Sequence, residues 1–174
     1  EIGFPAVQLE GGYRTWRRHV VARLATLPAA FRYRVVCGVT GSGKSRLLAA
    51  LDAEGAQVLD LEGLAQHRGS LLGDVPGAPQ PSQKAFETAI NEAYARFDPR
   101  RVVWIESESR KIGALQVPDA LLERMRAAPC ARVELPAASR IALLKEEYAH
   151  FLADPGALAA RLAHLTELRG QATI

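Results

Sequence analysis

The stretch Cys37–Leu48, CGVTGSGKSRLL, decides the fold of this chain. Gly38, Gly43, Lys44 and Ser45 occupy every fixed position of the Walker A pattern G-x-x-x-x-G-K-[ST]. An apolar segment, RYRVVCGV, leads into the pattern, and a segment with helical spacing, KSRLLAALDAEG, follows it. This order of strand, glycine-rich loop and helix is typical of a P-loop, which binds phosphate. We predict that the helix ends at Gly55.

Strands alternate with helices on both sides of this loop. We predict strands at 32–39, 56–60, 100–109 and 131–135, and helices at 13–27, 44–55, 81–97, 119–129, 138–152 and 156–168. Ser82 is the predicted N-cap of the third helix, and 68–81 is a predicted surface loop. The alternation predicts an α/β, P-loop NTPase-like three-layer domain with a mainly parallel sheet. We divide the chain into an N-terminal linker helix, 1–30, and a P-loop domain, 31–174.

Composition places the chain among folded globular proteins. Of its 174 residues, 48% are hydrophobic and 24% are charged, so neither disorder nor a coiled coil is indicated. No apolar run is long enough to span a membrane, and we expect a cytoplasmic protein. Cys37 and Cys130 lie in apolar settings and are predicted to be packed thiols. The chain begins with Glu1 instead of Met, and we expect it to continue a longer polypeptide.

The net charge of +3 allows a polyanionic partner. Arg14, Arg17 and Arg18 fall together on one face of the first predicted helix, opposite Trp16, Val20, Leu24 and Leu27. Arg100 and Arg101 are a possible continuation of this surface. An arginine face can bind nucleic-acid phosphates, or it can be an ordinary solvated helix surface.

The glycine-rich loop has the chemistry of a phosphate site. Its backbone N–H groups and the positive end of the following helix attract phosphate oxygens. Lys44 is expected to reach the terminal phosphate and Ser45 to bind Mg²⁺. The predicted phosphate-binding residues are Gly38, Thr40, Gly41, Ser42, Gly43, Lys44, Ser45 and Arg46.

A P-loop usually works with an acidic residue at the end of a neighbouring strand. Glu106 ends the apolar segment VVWIE and is the predicted metal partner of Ser45, with Glu108 as the alternative. Asp60, His67 and Arg68 follow the second predicted strand and are candidates for binding substrate. Arg68 would act as a second phosphate clamp, so Lys44, Arg68 and Glu106 are the predicted catalytic residues.

Four segments, taken in order, resemble one family. GVTGSGKSRLL, LDLEGLAQHRGSLLG, PQPSQKAFE and VVWIESESRKIG are similar to the P-loop half of bacterial tRNA 2-selenouridine synthases. The resemblance implies a transferase that geranylates and then selenates the wobble 2-thiouridine of tRNA, with geranyl diphosphate and selenophosphate as substrates. It also implies tRNA as a partner, which we expect to contact the arginine face, and an upstream rhodanese domain of the same polypeptide. We expect that domain, with its reactive cysteine, to precede the residues of this chain.

Two ligands and three functions remain open from the sequence. The loop can hold ATP or GTP, as its motif suggests, or a prenyl diphosphate, as the resemblance suggests. For a prenyl tail, Leu64, Leu71, Leu72 and Val75 are the candidates for an apolar groove. The alternatives to a tRNA-modifying transferase are a small P-loop kinase or ATPase and a nucleotide-controlled tRNA-binding module.

Overall fold

A four-stranded parallel sheet lies at the centre of the computed structural model, which describes residues 9–70, 73, 77–149, 156 and 159. Its strands are β1 (Arg32–Cys37), β2 (Gln57–Leu59), β3 (Val102–Glu106) and β6 (Cys130–Arg132), arranged in the order β2-β3-β1-β6. A short antiparallel hairpin, formed by β4 (Lys111–Ile112) and β5 (Leu115–Gln116), was not predicted.

Within 9–149, the described part of the chain gives six helices and one 3-10 turn beside these strands. They are α1 (Gly12–Thr26), α2 (Lys44–Ala53), α3 (Leu61–Ala65), α4 (Gln83–Ala95), α5 (Asp119–Ala127) and α6 (Ala137–Glu147), with the 3-10 turn at Leu27–Ala30. Ser82 caps α4 as predicted, because its hydroxyl accepts a hydrogen bond of 3.2 Å from the Ala85 N–H. The helix predicted at 156–168 lies outside the described residues except for Gly156 and Ala159.

The helices cover both faces of the sheet, which confirms the predicted three-layer α/β fold. Tyr33 and Val35 of β1 point into a core that includes Val20 of α1 and Phe86 of α4. Val36 points to the opposite face because side chains alternate along a strand, and it is fully buried there. The sheet is therefore covered on both faces, as parallel sheets usually are.

The first helix packs into the main core. Val20 and Leu24 are buried, and Trp16 and Leu27 pack against the same cluster, so the predicted apolar face is confirmed. The neighbours of α1 are α4 and α5. In the described structure, α1 is thus joined to the P-loop domain by a shared core.

The two cysteines correct a prediction. Cys37 and Cys130 were expected to be packed thiols, but the structure joins them in a disulfide with their Cα atoms 6.1 Å apart. The reason is the pairing of β1 with β6, in which Val35 lies opposite Cys130. Cys37 follows Val35 by two residues, so the side chains of the two cysteines lie on the same face of the sheet. A separation of 93 residues in the sequence gives no local sign of this contact.

The connections between strands create a crevice at one edge of the sheet. The chain leaves β1 through α2 and reaches β2 on one side, whereas after β3 it crosses to β6 on the other side of β1. In open α/β sheets, ligands bind at such a point, outside the carboxyl ends of the strands. Among the residues described, no helix has the length and apolar character needed to cross a membrane.

Candidate phosphate-binding site

A cavity of about 920 Å³ lies at this crevice. Five segments meet there: the P-loop, the start of α3, the turn that follows α3, the residues after β3 and the end of α6. The lining consists of 38–45, Asp60, Glu62, Gly63, 66–70, Ala78, 107–109, Glu147 and Tyr148. The P-loop, predicted from sequence alone, therefore forms one wall of a real cavity.

The loop itself has features that suit a phosphate ligand. Gly43 has a φ of 87°, a conformation that favours glycine, and it turns the chain into the first residue of α2. Lys44 Nζ donates a hydrogen bond of 3.0 Å to the Gly38 carbonyl oxygen, so the side chain lies over the loop. The Ser42 hydroxyl is buried and has no hydrogen-bond partner among the described residues. An unpartnered buried hydroxyl in a cavity wall is a place where a ligand oxygen would fit.

Helix α6 packs against the outer side of the loop. Arg140 donates a hydrogen bond of 3.3 Å to the Thr40 carbonyl oxygen. Arg46, predicted to contact phosphate, forms an ion pair with Glu146 at 2.8 Å, and both side chains are largely exposed. A Cβ at Gly41 would lie 2.7 Å from Leu144, so this glycine allows the close approach of the helix.

Ser45 and Glu106 are linked through a third residue, Glu62. The Ser45 hydroxyl donates to Glu62 Oε2 at 3.2 Å. Glu106 is 2% exposed, and its Oε1 accepts a hydrogen bond of 2.8 Å from the Glu62 backbone N–H. Sequence reasoning missed Glu62. Its position could have indicated a site residue, because it lies two residues after Asp60, in the first turn of a helix that follows the end of a strand.

Burial and the charges of neighbouring carboxylates raise the pKa values of the acidic residues around Ser45. Burial, followed by the negative charge of Asp60, raises the pKa of Glu106 to about 8. Burial and then the charge of Glu62 raise the pKa of Glu108 to about 7. The pKa of Glu62 is also raised, mainly by burial. A cation placed among these groups would favour their ionised forms.

The described residues fit an Mg²⁺ ion of the P-loop type. No group of three or more His, Cys, Asp or Glu side chains in the described ranges is arranged to hold a metal on its own. Mg²⁺ at phosphate sites does not need such a cage, because it takes one or two protein oxygens together with phosphate oxygens and waters. The hydroxyl of Ser45 and a neighbouring carboxylate supply that number of ligands.

The three predicted substrate-binding residues all line the cavity. Asp60 caps α3, since its Oδ1 accepts a hydrogen bond of 2.8 Å from the Gly63 N–H. His67 is buried, and its Nδ1 accepts one of 3.1 Å from the Gly69 N–H. Asp60 and His67 therefore hold the local backbone of this wall.

Arg68 joins the turn after α3 to the end of α6. Its guanidinium donates to the Glu147 carbonyl oxygen and lies over the Tyr148 ring, 5.3 Å from the ring centroid. The hydroxyls of Ser70 and Tyr148 are also hydrogen-bonded, at 2.9 Å. Arg68 thus lines the cavity while it is held against α6.

The three arginines of the predicted face of α1 differ in exposure. Arg14 and Arg18 are exposed, and Arg18 donates a hydrogen bond of 3.2 Å to the Thr15 hydroxyl. The Arg17 side chain is only 16% exposed and forms an ion pair with Glu87 of α4. Arg100 and Arg101 precede β3, so they lie at the amino ends of the parallel strands, whereas the P-loop lies at the carboxyl ends.

The predicted apolar groove is only partly within the described residues. Leu64 packs against the core, and Leu71, Leu72 and Val75 lie outside the described residues. Among the described residues that line the cavity, the larger apolar groups are Val39 and the ring of Tyr148. Most of the described lining is polar or glycine.

Comparison with known proteins gives one consistent result. The family model described as the tRNA 2-selenouridine synthase AAA domain matches residues 31–164. A tRNA 2-selenouridine synthase of Aeromonas salmonicida (strain A449) is 36% identical over 154 residues, which cover 87% of this chain and 40% of that protein. Relatives with the same name from Marinobacter nauticus and Salmonella newport are 37% and 38% identical and cover 84% and 85% of this chain.

The chain spans about 40% of the length of these relatives. A solved structure titled as a DNA replication initiation factor superposes with a TM-score of 0.34 at 17% identity, over 97% of this chain and 64% of the other. A score of that size does not establish a shared fold. The family match covers most of the chain and includes the P-loop, and it shows that the chain belongs to the tRNA 2-selenouridine synthase AAA domain family.

Proposed function

We propose that this chain is the P-loop module of a transferase that geranylates and selenates wobble 2-thiouridine in tRNA. In this proposal the P-loop holds the diphosphate of geranyl diphosphate. The observation that carries it is the cavity in which the loop, Lys44 and the N-terminus of α2 converge, in a chain of this family. Selenophosphate is the proposed second substrate, and an upstream rhodanese domain is the proposed partner for selenation.

The proposed reaction needs no protein nucleophile. The sulfur of 2-thiouridine attacks C1 of the geranyl group, the C1–O bond breaks and its electron pair leaves with pyrophosphate, while the N3 proton of the base is released. Lys44 and the loop amides would stabilise the negative charge that develops on pyrophosphate. Mg²⁺, held at Ser45 and a neighbouring carboxylate, would supply further charge neutralisation when bound.

A nucleoside triphosphate is the second candidate ligand, because the Walker A pattern is complete and few large apolar side chains line the described part of the cavity. In that case the chain would act as a kinase or ATPase, or as a tRNA-binding module controlled by nucleotide. Arg68 is suited to either ligand because a guanidinium binds phosphate oxygens in pairs.

Calorimetric titration of the chain with Mg²⁺ and three ligands tests the proposal. Geranyl diphosphate is expected to bind more tightly than pyrophosphate, since each buried CH₂ adds about 0.8 kcal/mol. ATP is expected to show no comparable gain. Tightest binding by ATP, accompanied by hydrolysis, would refute the prenyl diphosphate and support the kinase or ATPase function.

A further inference from the structure

We infer that Glu62 is the carboxylate that works with Ser45 on the Mg²⁺ of the diphosphate, and that Glu106 is a positioning residue that holds Glu62 in place. The inference rests on the proposed function, because it assigns residues within the same phosphate site. It places the acidic ligand after β2, instead of at the end of β3 where sequence reasoning put it.

The distance between Ser45 and Glu62 suits two ligands of one ion. Mg²⁺ binds oxygens at about 2.0–2.1 Å in octahedral geometry, so adjacent ligand oxygens lie about 2.9 Å apart. The Ser45 hydroxyl and Glu62 Oε2 are 3.2 Å apart. A small movement of either side chain would therefore let both oxygens bind the same ion.

Glu106 has a different set of contacts. It is 2% exposed, and its Oε1 is occupied by the Glu62 N–H. This bond fixes the first turn of α3, and Asp60 fixes the same turn through the Gly63 N–H at 2.8 Å. Because two side chains anchor the backbone at Glu62, the start of its side chain is held in place, and its carboxylate lies beside the Ser45 hydroxyl.

Other groups in the cavity point independently to an anionic ligand beside this pair. The Ser42 hydroxyl lines the cavity, is 1% exposed and has no hydrogen-bond partner in the described part of the chain. Lys44 and Glu62 line the same cavity, so a cation and a carboxylate border the same space. A diphosphate with Mg²⁺ would provide oxygens for Ser42 and Lys44 and a cation for Glu62.

The test compares Glu62→Gln and Glu106→Gln for pyrophosphate binding by calorimetry, with Mg²⁺ and with EDTA. Glu62→Gln is expected to lose the gain in affinity that Mg²⁺ provides, while its affinity in EDTA is kept or increased because a negative charge is removed. Glu106→Gln is expected to retain most of the gain, since the glutamine oxygen still accepts from the Glu62 N–H. Glu106→Ala lacks that oxygen and is expected to lower the gain by about 10- to 100-fold, as loss of an outer-shell partner typically does.

Glu92→Gln is the matched control, because Glu92 is exposed on α4. Loss of the Mg²⁺ gain in Glu106→Gln, or its retention in Glu62→Gln, would overturn the inference even if the unchanged chain binds pyrophosphate normally. Failure of the unchanged chain to bind pyrophosphate in the presence of Mg²⁺ would refute the proposed function itself and the inference with it. Thermal unfolding of each variant in EDTA shows whether it is folded.

Discussion

Lys44 Nζ lies 3.0 Å from the carbonyl oxygen of Gly38. Gly38 is the first residue of the Walker A pattern and Lys44 is the seventh. The ammonium group is thus held at the mouth of the loop by one backbone acceptor, which a phosphate oxygen can replace. A charged acceptor makes a stronger hydrogen bond than a neutral one. Ligand binding should therefore move Lys44 from Gly38 to the phosphate.

Replacement of Lys44 by Ala is expected to abolish measurable pyrophosphate binding and to leave the fold intact. The side chain is partly exposed and lies over the loop, so the thermal unfolding temperature should change little. Calorimetric titration with pyrophosphate and Mg²⁺ measures the effect, and Lys84→Ala, at an exposed position of α4, is the matched control. Wild-type affinity in Lys44→Ala would contradict the assignment of this loop as the phosphate site.

The contact between Arg68 and α6 yields a second prediction. Arg68→Ala is expected to weaken pyrophosphate binding and to loosen the end of α6, because the same guanidinium lines the cavity and donates to Glu147. Hydrogen exchange of 137–149 and calorimetry measure the two effects. Tyr148→Phe keeps the ring under Arg68 and removes the bond to the Ser70 hydroxyl.

Tyr148→Phe should therefore show faster hydrogen exchange near Ser70, in the turn after α3, but nearly unchanged pyrophosphate affinity. Equal pyrophosphate affinities in Arg68→Ala and in the unchanged chain would argue that Arg68 only supports α6. Faster exchange with unchanged affinity in Arg68→Ala would lead to the same conclusion.

The local pattern of the sequence predicted the parts of the fold that depend on neighbouring residues. The strand, loop and helix around Lys44 and the cap at Ser82 are examples, since each is specified within a few residues. The pairing of Glu62 with Ser45 and of Cys37 with Cys130 depends on the order of the strands, which has no local signature. The role of α6 as a cavity wall, through Tyr148, was hidden for the same reason.

The structure also changes what is expected of the arginines on α1. Arg17→Ala should lower stability more than nucleic-acid affinity, because the largely buried carboxylate of Glu87 would lose its cationic partner. The expected cost lies between the ~0–1 kcal/mol of an exposed ion pair and the ~3–5 kcal/mol of a buried one. Urea unfolding of Arg17→Ala measures this effect.

Arg14 and Arg18 are exposed and are the better candidates for contact with tRNA phosphates. The double variant Arg14→Ala/Arg18→Ala is expected to reduce the dependence of log affinity on log salt by up to about 0.9 per lost contact at a duplex-like site. Filter binding of tRNA at several salt concentrations measures this slope. An unchanged slope would show that this helix surface is simply solvated.

The buried carboxyl of Glu106 predicts how the stability of the ligand-free chain depends on pH. An ordinary glutamate has a pKa of 4.5, whereas in the folded chain burial and the charge of Asp60 raise the Glu106 pKa to about 8. Between these values the folded state holds a proton that the unfolded state has released, so the free energy of unfolding falls as pH rises. The contribution is complete below the lower value and is lost as pH rises through the higher one.

Glu106→Gln should remove the Glu106 contribution and leave those of Glu62 and Glu108, because glutamine cannot ionise but still accepts a hydrogen bond from the Glu62 N–H. The variant is therefore expected to be more stable than the unchanged chain at pH 8 and to show a flatter profile between pH 5 and 8. Each unit of the pKa difference corresponds to about 1.4 kcal/mol at full effect. Thermal unfolding in EDTA across this range measures both profiles, with Glu92→Gln as control. Parallel profiles for Glu106→Gln and the unchanged chain would mean that the Glu106 carboxyl is already ionised at pH 5, which would contradict the raised pKa.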